Sequence, residues 1–488
     1  MIKGESKHFI FTLKQEKKMK KIIALSLTIL LIMTSFTGCF FNDKKSEFEV
    51  KLADDTTAIY NELLKKVPNP TDIHAMDTYL KAWATTNNIP VSYDENQNII
   101  MSKKATEGYD DAQSTILHCS IGQGLAEEEY QAIASALYLI SHVDKHGFIR
   151  VIFTANQDND MKGAETLSKN YLNADNLISL TPAGKTSFTI GSAGTSQYDF
   201  SKQLNWQQPT YPHAYEISIK NLTGGSSGII SGKHPNPIKI IGDFLASSKS
   251  NGVLMELGGF NGGQAVDEYP IEATAVILIN DSDVTRFQNY FNNSAEKFAD
   301  KYQDSELNYS YTLTPIASPP MVISKDDSTK MLSLLYTMIN GIYYKSDEGE
   351  VIAASNIGTI RTTTGNLDVS ICSRSLDQST LNEMASTFGV ICGLNDVNND
   401  VLNGYPIWLA NENSPLLIRL TDLFKEDFDK KIDWKKTMER SECAIFKQKN
   451  EQLDVLSMSV NFENDFTEIE ALYQFLENIN VPSTESES

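Results

Sequence analysis

The stretch from Ser114 to Ala164 constrains this chain most, because its three segments fit together in one way. It opens on a short apolar strand, STILHCSI, and turns through the acidic run GQGLAEEE. Ala132, Ile133, Ala136, Leu137 and Ile140 then recur at helical spacing as one apolar stripe. A second strand, RVIFTA, breaks into Asn156-Gln157-Asp158-Asn159-Asp160 before Met161-Lys162-Gly163-Ala164. Strand, helix and strand of this kind make a β–α–β unit whose strands end on one edge, where open α/β sheets hold their sites. Ser120, Glu128 and Gln157–Asp158 fall at that edge and are the first functional candidates.

At 488 residues the chain has room for two or three domains, each with a sizeable core. Its formal charge of −21 argues against nucleic acid, whose phosphates would repel it. Residues 1–38 read as a secretory leader. Lys17, Lys18, Lys20 and Lys21 precede an apolar run from Ile22 to Met33, and small residues lead into Cys39. That ending resembles a bacterial lipobox, which would make Cys39 the lipidated first mature residue. The alternative is a plain membrane anchor with an incidental cysteine, and the run is short for a span of ~20 residues. The expectation is a protein held outside the cytoplasm on a bacterial membrane. Removing the leader takes away seven lysines and two glutamates and leaves a charge of −26. Cys119, Cys372, Cys392 and Cys443 lie in apolar runs with no CxxC, which predicts buried free thiols.

Residues 39–53 read as a tether and 483–488 as a disordered tail. Helices, a hairpin with its turn at Asp94–Gln97, and the β–α–β unit belong to a first part, 54–212. Around His213 the texture changes to an α+β pattern that runs to the Asn- and Asp-rich loop at 395–400. Helices are expected there at Pro237–Ser248, Asp283–Tyr302, Ser328–Tyr344 and Thr380–Cys392. Residues 401–482 then resume the first pattern, so 213–400 is expected as an insertion.

The words along this order resemble aminoacyl-histidine dipeptidase, a carnosinase-like di-zinc exopeptidase, over roughly residues 56–480. They include Met161-Lys162-Gly163-Ala164, Gly191-Ser192-Ala193-Gly194, Lys220-Asn221-Leu222-Thr223-Gly224-Gly225, Phe260-Asn261-Gly262-Gly263, Arg374-Ser375-Leu376, and Glu442-Cys443 before Phe446. Each is short; their collinearity carries the likeness. It implies an α/β fold, a zinc-exopeptidase-like mixed-sheet three-layer domain with an inserted α+β lid domain that in such enzymes often also dimerises.

The resemblance also implies a site, and this chain departs from it. Two zincs need a bridging carboxylate, further His or carboxylate ligands, and a Glu base. The positions of the family's His-x-Asp read Ser120 and Gly122, and the bridging Asp falls on Glu128. The Glu-Glu pair of base and ligand becomes Gln157 and Asp158. The later Asp becomes Thr181, and the lid His becomes Ser226. The final His has no counterpart after Asn461. Two carboxylates, Glu128 and Asp158, fall short of a di-zinc set, and an amide at 157 cannot take a proton from water. His118, two residues before Ser120, would be a substitute ligand or a locally hydrogen-bonded buried histidine; Glu127–Glu129 leave the bridging position open to a slip. Arg374 matches an arginine that meets the substrate carboxylate in related peptidases, with a structural ion pair as the other reading. Gly224-Gly225-Ser226-Ser227-Gly228 lacks the lysine of a phosphate loop, and neither Ser192 nor Ser226 has a His–acid partner in evidence.

The expected function is therefore a catalytically silent dipeptidase homologue without zinc. It would bind a peptide or protein ligand in its cleft, sit on the membrane through Cys39, and pair with itself through the lid. An active dipeptidase with an altered metal site is the competing reading.

Overall fold

The structure, a computed structural model, describes residues 46–122, 125–156, 161–182, 184–230, 233–402 and 404–477. Cys39, Gln157, Asp158 and the tail 483–488 lie outside the described residues. The chain divides into two units, Met1–Asp54 and Asp55–Ser488. The segment expected as a tether is already helical from Glu47, in a helix Glu47–Lys66. Glu47 and Glu49 in its first turn and Lys65 and Lys66 in its last complement the helix dipole.

The central β–α–β unit forms as its pattern predicts. In chain order the strands are β1 (Val91–Tyr93), β2 (Ile99–Lys103), β3 (Thr115–Gly122), β4 (Ile149–Asn156), β5 (Asn176–Pro182) and β6 (Ser187–Ser192). The helix Glu129–His142 links β3 to β4, which pair in parallel. Asp94 closes the β1–β2 turn by accepting from the amides of Asn96 and Asn98, both at 3.0 Å. Two late strands complete an eight-stranded sheet in the order β1, β2, β4, β3, β5, Asp454–Val460, β6, Asp433–Thr437. Asp454–Val460 runs parallel to β5, so the chain's last strand lies in the same sheet as its first.

Helices cover both faces. Glu129–His142 and Thr467–Glu477 pack on one, and Lys162–Thr166 and Glu442–Lys449 on the other. The sequence shows a single stripe on Glu129–His142, yet Tyr130 and every residue from Ala132 to Ile140 are buried. The terminal helix accounts for the difference by packing against its second side. Leu137, fully buried there, is expected to cost about 2–5 kcal/mol when cut to alanine. Urea unfolding checks this, and a loss within about 0.5 kcal/mol, as at an ordinary surface site, would contradict the packing.

A second sheet of eleven strands is built from residues between Gly194 and Leu402. Its main path runs Ser310–Pro315, His213–Lys220, Ala273–Ile279, Met255–Gly262, Val351–Thr362, Asn366–Ser375, Gly194–Gln203, Asn398–Leu402. Helices Pro237–Ser250, Val284–Tyr302, Lys325–Thr337 and Gln378–Asn395 share its apolar core. The passage between sheets comes at Ala193 rather than near His213, because Gly194–Gln203 pairs with Asn366–Ser375. The way out follows Leu402, since Asn398–Leu402 still pairs in this sheet.

Local corrections follow from turn chemistry. The helix expected over Ser328–Tyr344 stops at Thr337, and Gly341, at φ +91°, starts a strand through the β-prone Ile342-Tyr343-Tyr344. After β4 the chain forms two short pieces, Lys162–Thr166 and a 3-10 turn Lys169–Leu172, where the Ser168 hydroxyl accepts from the Asn170 amide. The strand Asp433–Thr437 and the helix Glu442–Lys449 had no distinct signal in the pattern.

Candidate functional site

The C-terminal ends of β3, β4 and β5 lie on one edge, and alternation puts His118 and Ser120 on one face of β3. Register places Thr154 of β4 opposite Ser120 and Ser179 of β5 opposite His118. The helix Glu442–Lys449 packs over that face, its Phe446 ring edge-on to His118 at 4.8 Å. Its first residue, Glu442, turns its carboxylate in among them. His118 Nδ1 meets Ser179 Oγ at 2.9 Å and Nε2 meets Thr154 Oγ1 at 2.9 Å, with Glu442 Oε2 3.3 Å from Nε2. Both Ser120 and Thr154 donate hydroxyls to the same Oε2.

This network is nearly dry: His118 is 1% exposed and Glu442 7%. Burial pushes the Glu442 carboxyl up, but His118, with Ser120 and Thr154, outweighs it and leaves the group below its ordinary range. Neither ring nitrogen of His118 is free, which fits the reading of a locally bonded histidine rather than a substitute ligand. The neighbouring thiols are inert: burial drives Cys119 upward and Cys443 up to about 12. All four described cysteines are free and buried.

At the tip of β3, Gly122 has φ +114°, and a Cβ there would sit 2.2 Å from the Asn156 carbonyl oxygen. No carboxylate side chain fits at that position unless β3 and β4 separate. Thr181 is exposed at the end of β5, beside Ser459 of the last strand. Glu128 is exposed ahead of its helix and caps nothing with its side chain. Asn461 bonds the Gly184 carbonyl and caps a 3-10 turn, so the chain leaves the edge there without a histidine. Ser120, Gly122 and Thr181 thus share one edge, whereas Ser226 and Arg374 come from the inserted sheet and its loops.

Those two meet the loop that leads from Asp433–Thr437 into Glu442. Ser226 donates to Glu439 Oε2 at 2.9 Å. Arg374, 2% exposed, reaches Ser227 Oγ at 3.3 Å and the Met438 carbonyl at 3.4 Å, both long. Its Nε is buried without a partner, and among the described residues it forms no ion pair. The structural ion pair expected as one reading of Arg374 is therefore not what the fold provides. Glu439 had no signal in the sequence, and Glu442 stood there only within Glu442-Cys443 before Phe446.

The three-layer sheet with its inserted second sheet is a zinc-exopeptidase-like fold. The chain is homologous to cytosol non-specific dipeptidase of Escherichia coli (strain K12), 24% identical over 418 residues, covering 78% of this chain and 86% of the relative. Its fold matches aminoacylhistidine dipeptidase from Vibrio alginolyticus at a TM-score of 0.72, with 20% identity over 87% of this chain and 96% of that one. A tripeptidase from Staphylococcus aureus matches at 0.50 with 10% identity, over 88% of this chain and 98% of that one. No family model matches the sequence.

The zinc pair that the resemblance implies does not fit the described residues. Ser120, Gly122, Thr181 and Ser226 offer neither imidazole nor carboxylate, and among the described residues no three His, Cys, Asp or Glu are grouped to hold a metal ion.

Proposed function

We propose that this protein is a membrane-anchored dipeptidase homologue that binds a peptide-like carboxylate in its cleft and does not hydrolyse it. Gly122 carries the non-catalytic half of this reading: where the resemblance calls for the aspartate of His-x-Asp, the backbone of β3 lies against Asn156 and leaves no room for a side chain. Ser120 supports it, because its hydroxyl is turned onto Glu442 and away from any ligand role. Binding is supported by Arg374, a guanidinium withdrawn from water that forms no ion pair among the described residues and whose Nε has no partner. A buried charge of that kind is costly until a partner arrives.

Elemental analysis and a dipeptidase assay on the purified protein test the reading together. The expected result is no stoichiometric zinc, no hydrolysis of aminoacyl-histidine dipeptides, and a melting temperature indifferent to chelators. Ser120→His by itself is expected to restore nothing, because groups that act as a unit are grossly non-additive. About two zincs per chain with chelator-sensitive hydrolysis would overturn it in favour of an active metallopeptidase.

Anchoring is proposed from the leader alone. Cys39→Ser is expected to leave the precursor uncleaved or release the protein from the membrane fraction. Retention at mature size in that variant would count against the lipid.

A further inference from the structure

Three buried polar atoms without partners occur at one place. They are Arg374 Nε, Glu439 Oε1 and His234 Nδ1. An unpaired buried polar group costs about 1–3 kcal/mol, so one is notable and three together ask what they are for.

Their proximity follows from shared neighbours. Arg374 touches Ser227 and Met438, while Glu439 takes the hydroxyl of Ser226, so the two charges hang on consecutive residues of the same two segments. Yet they form no ion pair with each other. Tyr269 lies where it feels both: burial raises its hydroxyl pKa most, Arg374 opposes that and Glu439 adds to it. His234 stacks on the Tyr269 ring at 4.9 Å and 23°. The position is also built for the carboxylate, since a Cβ on residue 228 would come within 2.8 Å of the Glu439 carboxyl carbon, and glycine stands there. Ser226, His234, Tyr269 and Glu439 are only half-buried, which leaves this place open to solvent on one side.

A fixed cation and a fixed anion held on neighbouring residues of the same two segments without pairing are matched by a ligand carrying both opposite charges. We propose that the gap receives the head group of an α-amino acid, its carboxylate on Arg374 and its ammonium on Glu439. The proposal rests on the carboxylate-binding reading above and narrows it from peptides in general to ligands with a free α-ammonium beside the carboxylate. The Tyr269–His234 stack, with His234 Nδ1 unpartnered, forms a wall for the Cα. A peptide bound by its C-terminal carboxylate brings a neutral amide to Glu439 and forgoes the charge-assisted bond.

The test screens the twenty proteinogenic amino acids by thermal shift on the wild-type protein. The best binder is then titrated beside its N-acetyl and carboxamide derivatives. Blocking either end is expected to weaken binding by at least about tenfold, the range of a lost charge-assisted contact. In Glu439→Gln, which preserves shape, the free and N-acetylated forms should bind within about threefold of each other. If the N-acetyl derivative binds the wild-type protein as well as the free amino acid, the ammonium assignment is wrong while the Arg374 carboxylate site stands. If neither a free amino acid nor any N-acetylated one binds, the carboxylate reading falls with it.

Discussion

Replacing His118 with alanine is expected to cost about 3 kcal/mol at neutral pH, the upper end of the scale for leaving a buried hydrogen-bonded group without its partner. His118 is the largest favourable influence on the Glu442 carboxylate, and without it Ser120 and Thr154 remain as the only bonded partners named around Oε2. Oε1 has none. The loss should depend on pH with a definite sign. In the wild-type protein Glu442 titrates below its ordinary value, so its contribution is complete above about pH 4.3 and is lost as pH falls through the lowered folded value. In the variant, burial dominates and raises that carboxyl, so protonation then favours the folded state. The gap between the two proteins should therefore narrow on acidification. Urea unfolding between neutral and acid pH measures it, and a gap that widens as pH falls would refute the account.

Arg374→Met is expected to do the reverse of an ordinary core mutation. The guanidinium is 2% exposed, its hydrogen bonds are long, and its Nε has no partner. An apolar side chain of similar length removes an uncompensated charge, so stability without ligand should be unchanged or rise by about 1–4 kcal/mol. Affinity for a carboxylate ligand should fall by about a hundredfold or more, as when a buried charged contact is truncated. Parallel unfolding and titration experiments separate the two effects. A variant that is strongly destabilised and still binds would show that Arg374 is a structural member of the junction.

The two expectations concern opposite ends of one design. On the first sheet Ser120, Thr154 and His118 converge on one oxygen of Glu442 at the β3 edge, and its other oxygen has no partner. At the loops of the second sheet the polar groups are left short of partners. A protein that had merely decayed would have little reason to keep a buried arginine unpaired, given the cost of such a group. A buried arginine without an ion pair among the described residues is what a binding role predicts.

Much of this was legible from local pattern. The β3–helix–β4 unit follows from two apolar strands around a helical stripe, and the hairpin follows from Asp94 and its amide acceptor geometry. That Ser120, Gly122, Thr181 and Ser226 carry neither imidazole nor carboxylate is legible directly from the sequence. Helix ends were less legible. Ser328–Tyr344 reads as continuous until Gly341 is placed at positive φ, and the tether reads as linker although its residues are good helix formers.

By itself, then, the sequence determined the α/β class, the core stripes, the free thiols and the residue types along the β3 edge, because these depend on periodicity and side-chain chemistry within a few residues. Tertiary structure decided where the chain changes sheets, since pairing of Gly194–Gln203 with Asn366–Ser375 joins segments far apart in sequence. It also decided that Glu442 closes the β3 edge, with its Ser120 partner 322 residues away. The empty places at Arg374, Glu439 and His234 belong to the same category. A missing partner has no signature in sequence, because it is a statement about every neighbour a folded side chain fails to meet.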